Sequence, residues 1–125
     1  MIVDTDVLIW YLRGHSKARD AIESQTRLNV SVVSYIELLQ GLRNAREFKE
    51  IKKGFQVLDL RLLYISEEIS AKAMFYVERH ALSHRMELAD ALISATATVH
   101  GETLLTANDR HYRMIKELAI ERFRP

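Results

Sequence analysis

Residues 2–12 read IVDTDVLIWYL, and this stretch decides the fold that the sequence predicts. Ile2 and Val3 form a short β-branched apolar run, which is typical of a buried strand. A polar Asp-Thr-Asp turn follows, and a second apolar run then continues to Gly14, a residue that commonly ends helices. The stretch therefore predicts a strand, a polar turn and a helix, in that order.

The same alternation continues along the rest of the chain. Further strands are predicted at residues 28–32, 57–60, 103–106 and 119–123. Helices are predicted at residues 18–24, from Ser34, from Ser66, at 87–99 and at 110–118, and a charged segment at 43–53 ends at Gly54. Alternating strands and helices predict an α/β fold, a central parallel sheet of four to five strands with helices on both faces. Without repeats or linkers, residues 1–125 are expected to form a single domain.

Composition excludes several classes of protein. Of the 125 residues, 48% are hydrophobic and 28% charged, as in an ordinary globular protein rather than a disordered one. No apolar run reaches the roughly 20 residues that cross a bilayer, and the start lacks the basic region of a signal peptide, so no membrane association is expected. The chain has no cysteine, which fits a cytoplasmic location. A net charge of +1 gives no general attraction for nucleic acid.

Polar residues follow the predicted strands at the edge where a parallel sheet places its ligands. Each also has a purely structural explanation: an Asp can cap a helix, a Ser and a Glu three residues apart form a capping box, and an Asn-Asp pair favours a turn. The residues that follow the first, second and fourth predicted strands, counted along the chain, are Asp4, Asp6, Ser34, Glu37, Thr106, Asn108 and Asp109.

Asp90 has no such simple explanation, because it lies inside the otherwise apolar helix at residues 87–99. Ala89 and Ala91 flank it, and no Lys or Arg lies within one turn. An ionised carboxylate in apolar surroundings must be paired, hydrogen-bonded or bound to a metal. Its partner must therefore come from another part of the fold.

Asp4, Glu37 and Asp90 would repel one another in a shared site, so such a site needs a cation. Oxygen ligands without Cys or His favour Mg²⁺ or Mn²⁺ over zinc. Carboxylate-held Mg²⁺ with open water positions is suited to phosphodiester hydrolysis, since it activates a bound water and stabilises the leaving oxygen.

Four segments of the chain, taken in order, form a recognisable set of motifs. They are IVDTDVLI at 2–9, SVVSYIEL at 31–38, LADALISATA at 88–97 and LLTANDRHY at 104–112. Together they resemble the motifs of PIN-domain ribonucleases, and they are most similar to those of VapC-type toxins from toxin–antitoxin pairs.

The resemblance spans essentially the whole chain and implies a PIN-like fold and an endoribonuclease that cleaves RNA. It also implies Asp4, Glu37 and Asp90 as ligands of Mg²⁺ or Mn²⁺, a homodimer, and an antitoxin that covers the active-site groove, with Trp10 and Tyr35 near the contact.

The chain departs from the family pattern at two positions. Asp6 stands where the family usually has Asn, and Asn108 aligns with the fourth acidic position, with Asp109 beside it. Asp109 is therefore taken as the fourth catalytic and metal-binding candidate. The residues expected to support the site are Asp6, Ser34, Thr106 and Asn108.

Two other functions remain open at the level of sequence. Asp4 and Asp6 also fit the first motif of haloacid-dehalogenase-like phosphatases, as nucleophile and acid/base. That function requires a phosphate-binding Lys after a later strand, whereas Lys116 is predicted inside a helix, and it leaves Asp90 unexplained. The second alternative is a non-catalytic PIN-like binding module that keeps the acidic pocket only as a scaffold.

Overall fold

The computed structural model describes residues 1–125 and contains one five-stranded parallel sheet. Its strands are short and run in the spatial order β3-β2-β1-β4-β5, so β1 is central. Ile2 of β1 lies opposite Asn29 of β2 on one side and Leu104 of β4 on the other. In chain order the strands are β1 Ile2–Val3, β2 Asn29–Ser31, β3 Arg61–Leu63, β4 Leu104–Thr106 and β5 Ile120–Arg122.

Six helices connect these strands, and a single 3₁₀ turn at Asp109–His111 follows β4. None of the helices has the length and apolar character that spanning a membrane requires. The helices are α1 Thr5–Leu12, α2 Ser16–Glu23, α3 Val32–Gln40, α4 Ala45–Val57, α5 Glu67–His84 and α6 Leu88–Val99.

The helices cover both faces of the sheet, as the sequence predicted. Successive residues of a strand point to opposite faces, and in β1 Ile2 joins the core formed with α5 and α6, while Val3 joins the core formed with α1 to α4. Both residues are fully buried. The centre of α6 is buried nearly all round, as its continuous apolar sequence predicted.

Short polar side chains cap the N-termini of most of the helices, because they accept hydrogen bonds from backbone N–H groups that have no partner within the helix. Asp4 caps α1 by accepting from Thr5 N at 2.8 Å. Asn44 caps α4, and Ser66 caps α5 by accepting from Ile69 N at 3.1 Å, as predicted for Ser66. These caps place the helix starts directly after strand ends or tight turns.

The start of α3 differs from the prediction. The helix begins at Val32 and is capped by Ser31, whose hydroxyl accepts from Val33 N at 3.1 Å. Ser34 is therefore a fully buried residue inside the helix, and Ser34 and Glu37 do not form a capping box. The reason is that β2 ends at Ser31 and the chain turns directly into the helix.

The third strand also lies later than predicted. Helix α4 continues through Gly54 to Val57, and the chain then turns at Asp59, whose φ is 52°. Leu60 N donates to Phe55 O at 2.9 Å, which closes the end of the helix. The strand therefore occupies Arg61–Leu63 instead of residues 57–60.

The helix predicted at residues 110–118 is absent. After the 3₁₀ turn the chain continues through tight turns, with Ile115 N donating to Tyr112 O at 2.9 Å. Three-residue turns of this kind have poorer hydrogen-bond geometry than an α-helix and rarely extend. Tyr112 is nevertheless buried, so the segment packs against the core without a helix.

We expect Gly54→Ala to stabilise the protein by about 0.5–1 kcal/mol, because Gly disfavours a helix interior. A Cβ there would meet only the flexible end of Leu12, at 3.4 Å. Gly101→Ala is the matched control and should destabilise by about 1 kcal/mol, since Gly101 has a φ of +63°. Urea unfolding measures both, and a destabilised Gly54→Ala variant would indicate that α4 ends at Gly54.

Candidate metal centre

Asp4 is the most deeply placed acid of the predicted site. It follows the central strand and is only 5% exposed. Its Oδ1 accepts from Thr5 N, and its Oδ2 accepts from the hydroxyl of Thr106 at 2.8 Å. Thr106 ends β4, the strand paired with β1. The sheet itself therefore holds the Asp4 carboxylate in position.

The electrostatic environment of Asp4 lacks a cation. Burial, followed by the nearby charge of Asp6, raises the pKa of this carboxyl from 3.8 to about 7. The hydrogen bonds from Thr106 and Thr5 act in the opposite direction, but no Lys or Arg pairs with the group. A buried carboxylate of this kind gains stability from a bound cation.

Asp90 lies in the first turn of α6 and contacts two residues of the segment after β4. Its Oδ1 accepts from the hydroxyl of Tyr112 at 3.1 Å, and its Oδ2 lies 3.3 Å from Nδ1 of His111. Burial raises the pKa of Asp90, while His111 and Tyr112 oppose that shift. The partner that the sequence required for Asp90 is therefore neutral Tyr112 together with His111, and not a Lys or Arg.

Tyr112 links the two aspartates. Only 1% of this residue is exposed, and burial together with the charges of Asp4 and Asp90 raises the pKa of its phenol. The phenol therefore keeps its proton, and the hydroxyl that donates to Asp90 also lowers the pKa of Asp4. Asp4 and Asp90, separated by most of the chain, thus both lie near enough to this phenol to raise its pKa, and its hydroxyl donates to Asp90.

Glu37 approaches the same region from α3. Its Oε1 accepts from the hydroxyl of Thr5 at 2.7 Å, and the Thr5 oxygen also lies 2.9 Å from Oγ of Ser34. The charge of Glu37 contributes to the raised pKa of Asp90. The structure therefore brings Glu37 into the electrostatic field of the other acids, with Thr5 and Ser34 orienting it.

The supporting residues are held mainly by backbone groups near β4. Asp6 accepts from Ala107 N at 3.0 Å and from Val7 N at 2.7 Å, and burial raises its pKa. Asn108 N donates to the hydroxyl of Thr106 at 3.0 Å. Asp6 therefore ties the start of α1 to the loop after β4, and Thr106 connects that loop to Asp4.

Asp109 makes a different contact from the one expected of a fourth acid in the site. Its Oδ1 lies 3.1 Å from Nη2 of Arg124. The other terminal nitrogen of the same arginine, Nη1, donates to Ala107 O. None of its hydrogen bonds or ion pairs joins it to Asp4, Glu37 or Asp90.

Sequence reasoning missed three residues of the site: Thr5, His111 and Tyr112. Thr5 lies between Asp4 and Asp6, which were the candidate acids of that segment. His111 and Tyr112 lie at the end of the fourth motif. The signal that could have found His111 is the turn itself, because a 3₁₀ turn repeats every three residues and places residue 111 on the side of Asn108. His111 N donates to Asn108 O at 2.9 Å in that turn.

The residues fit a hydrated divalent cation. No three acidic or histidine side chains are close enough together to chelate a single ion. Mg²⁺, however, usually takes only one or two carboxylates and completes its shell with water. Asp4 is a buried carboxylate without a cationic partner, and its bridge to Asp90 supplies a second oxygen donor group.

The sequence matches known proteins along nearly its full length. The model of the PIN domain matches residues 1–117. Ribonuclease VapC10 of Mycobacterium tuberculosis is 39% identical over 124 residues, covering 94% of this chain and 90% of that protein. Ribonuclease VapC19 of the same species is 30% identical over 122 residues, covering 94% and 95%.

Solved structures share the fold. VapBC-1 from nontypeable Haemophilus influenzae superposes with a TM-score of 0.83 at 22% identity, covering 97% of this chain and 96% of that one. VapBC2 from Rickettsia felis, bound to a promoter DNA fragment, has a TM-score of 0.82 at 16% identity and covers 98% of both chains. The parallel sheet, the match to the PIN-domain model and the identity to VapC ribonucleases agree, and the chain belongs to the PIN-domain family, among its VapC-type members.

Proposed function

We propose that this protein is a divalent-cation-dependent endoribonuclease and acts in the cytoplasm as the toxin of a toxin–antitoxin pair. The observation that carries the proposal is the buried Asp4 at the carboxyl edge of the sheet, which lacks a cationic partner and lies near Tyr112, the residue whose hydroxyl donates to Asp90. The similar proteins named ribonucleases support the reaction. The solved toxin–antitoxin complexes of the same fold support the biological role.

In this proposal Asp4 and Asp90 hold the cation, Mg²⁺ or Mn²⁺, and Glu37 completes the acidic site. The bound ion would activate water and stabilise the leaving oxygen of an RNA phosphodiester. Side chains of the protein hold the two aspartates in position. The hydroxyls of Thr106 and Tyr112 orient the two aspartates, because Thr106 donates to Oδ2 of Asp4 and Tyr112 donates to Oδ1 of Asp90.

Glu37 is the acid best placed to act on the substrate. It is less buried than Asp4, and its side chain lines two open grooves, one on each side of α3. The Thr5 hydroxyl holds one of its oxygens at 2.7 Å. A carboxylate that is oriented in this way and open to solvent can accept the proton that an attacking water gives up.

A groove beside Glu37 supports the antitoxin as a partner. It encloses about 590 Å³ between α1, α3 and α4, and an apolar antitoxin segment laid along it would cover the acidic site. Trp10 and Tyr35 are half-buried, with their rings packed on His15 and Phe55. The apolar residues that line the groove are Ile9, Leu12, Leu38, Leu42 and Ile51, and of these Leu38 and Ile51 are largely buried in the core.

A second apolar surface supports the homodimer. Ile36 of α3 is 47% exposed and Leu88 of α6 is 72% exposed. Together with Val33 and Leu92 they line a shallow groove of about 320 Å³. Exposed apolar residues grouped in this way favour contact with another protein surface. Glu37 borders this groove as well, so two copies joined here would bring their acidic sites close together.

The phosphatase alternative gains no support from the structure. Asp6, its acid/base, has both oxygens occupied by backbone N–H groups. Lys116 lines a groove with Tyr76 and Glu117 instead of the acidic site. The non-catalytic alternative makes a distinct prediction, namely cation binding without RNA cleavage.

We expect Asp90→Asn to abolish cleavage of total RNA in Mg²⁺ or Mn²⁺ and to abolish growth inhibition. The substitution removes a negative ligand but keeps an oxygen that can accept from Tyr112, so stability in EDTA should change by less than about 1 kcal/mol. Cut-end mapping measures cleavage, and thermal melts with and without cation measure binding. The wild type should gain melting temperature with cation, and the variant should gain little.

Asp109→Asn is the matched control for Asp90→Asn, because the Asp109 carboxylate pairs with Arg124. It should retain cleavage and the cation-dependent rise in melting temperature. Loss of both in Asp109→Asn would assign the fourth ligand to Asp109. A wild type that binds cation tightly and leaves RNA intact would support the non-catalytic module.

The pKa of Asp4 predicts a pH dependence of stability. Its value in the folded protein, about 7, lies above the ordinary 3.8, so between these values the folded state binds a proton that the unfolded chain has released. Metal-free stability should therefore fall as pH rises through this window. A bound cation compensates the buried charge, and the melting-temperature gain with Mg²⁺ should be larger at about pH 8 than at about pH 5. Equal gains at both pH values would contradict Asp4 as a ligand.

Leu42→Asp and Leu88→Asp should separate the two proposed interfaces. Leu42→Asp places a charge in the antitoxin groove and should weaken the complex with the co-expressed antitoxin at least about tenfold, while leaving the dimer intact. Leu88→Asp should convert the dimer to a monomer. Size-exclusion chromatography with light scattering measures both. Leu82→Asp, at a fully exposed position of α5 outside both grooves, should change neither. If Leu42→Asp disrupted the dimer and Leu88→Asp weakened the antitoxin complex, the two surfaces would have to exchange their assigned partners.

A further inference from the structure

We propose that His111 is a direct ligand of the cation and that it shifts the site towards Mn²⁺ over Mg²⁺. The inference rests on the cation site proposed above and adds a nitrogen donor to a set that the sequence predicted to consist of oxygens only. Because no three acidic or histidine side chains lie close enough to chelate one ion as they stand, it requires the side chains of Asp90 and His111 to shift when the cation binds. It assigns to His111 the position that the sequence left between Asn108 and Asp109.

The geometry of the Asp90–His111 pair is that of two neighbouring ligands. Nδ1 of His111 lies 3.3 Å from Oδ2 of Asp90. Adjacent ligands of an octahedral ion, each about 2.1 Å from the metal, lie about 3 Å apart, so a small shift would let both bind one ion. The hydrogen bond that Asp90 accepts from Tyr112 is at the other oxygen, Oδ1, so Tyr112 does not compete for Oδ2.

The pair is accessible to a hydrated cation. The side chain of His111 is 54% exposed and that of Asp90 is 21% exposed. The backbone holds the imidazole beside the carboxylate, because His111 N donates to Asn108 O and the next residue, Tyr112, is buried in the core. The nitrogen is therefore presented by a constrained turn at the open side of the site.

The other side chains of the fourth motif are less suitable. Asp109 is paired with Arg124. Asn108 is exposed, and its backbone N–H is used by Thr106. His111 is the polar side chain of this turn that contacts one of the three acids.

The donor type predicts a metal preference. Mg²⁺ takes oxygen ligands, whereas affinity for nitrogen donors increases along the transition metals, beginning with Mn²⁺. If His111 instead acts as a positive counterion of Asp90, its removal would leave the carboxylate more negative and would increase affinity for both cations. The two roles therefore predict effects of opposite sign on Mn²⁺ binding.

Calorimetric titration of the full-length protein with Mn²⁺ and with Mg²⁺ tests the proposal. His111→Ala should weaken Mn²⁺ binding by about 10- to 100-fold and Mg²⁺ binding by no more than about 3-fold. The control is His100→Ala, since His100 is exposed at the opposite end of α6 from Asp90. It should bind both cations as the wild type does.

Pulsed electron paramagnetic resonance of the Mn²⁺ complex gives a second, independent measurement. The wild type should show the magnetic coupling of a directly bound nitrogen, and this coupling should change on ¹⁵N-histidine labelling and disappear in His111→Ala. Unchanged or increased Mn²⁺ affinity in His111→Ala, or absence of nitrogen coupling in the wild type, would overturn the assignment. If Asp90→Asn still abolishes Mn²⁺ binding in that case, the proposed cation site stands without His111. If the wild type binds neither cation, the proposed function itself is wrong.

Discussion

The structure depends on a negative charge buried at the end of its central strand. Asp4 caps α1 with one oxygen and accepts from Thr106 with the other, so the same carboxylate joins two strands and a helix. Its charge nevertheless lacks a cationic partner, and burial raises its pKa to about 7. A carboxylate held by neutral donors alone is kept in position at a cost in stability, and a divalent cation would offset that cost.

The other polar groups of the site are arranged around this charge by neutral hydroxyls. Thr5 orients Glu37, Thr106 orients Asp4, and Tyr112 donates to Asp90. Hydroxyls orient carboxylates without neutralising them, whereas a Lys or Arg would compete with a bound cation. Arg124, which lies beside the loop after β4, is paired with Asp109. The arrangement therefore keeps three acids oriented without a Lys or Arg on them, which leaves them available to a divalent cation.

Much of the fold follows from local patterns. The alternation of strands and helices, the buried α6 and the Ser66 cap are all readable from neighbouring residues, because hydrophobic periodicity and capping act within a few positions. The boundaries of the helices and strands were less predictable. Gly54 lies inside α4, whose Ile51 is buried in the core, so packing of the whole helix outweighs the weak helix propensity of one glycine. The segment after His111 is not helical, because burial of Tyr112 favours turns that the local sequence does not indicate.

The sequence by itself determined which acids exist, their order along the chain and their position after parallel strands, and these features carried the family resemblance. Only the tertiary structure decided that Asp109 pairs with Arg124, that His111 faces Asp90, and that the phenol of Tyr112, which donates to Asp90, lies near Asp4. The contacts that assemble the site join residues from opposite ends of the chain, such as Asp4 and Thr106. Short-range patterns carry no information about such pairs, since strand order and the packing of a buried side chain bring them together.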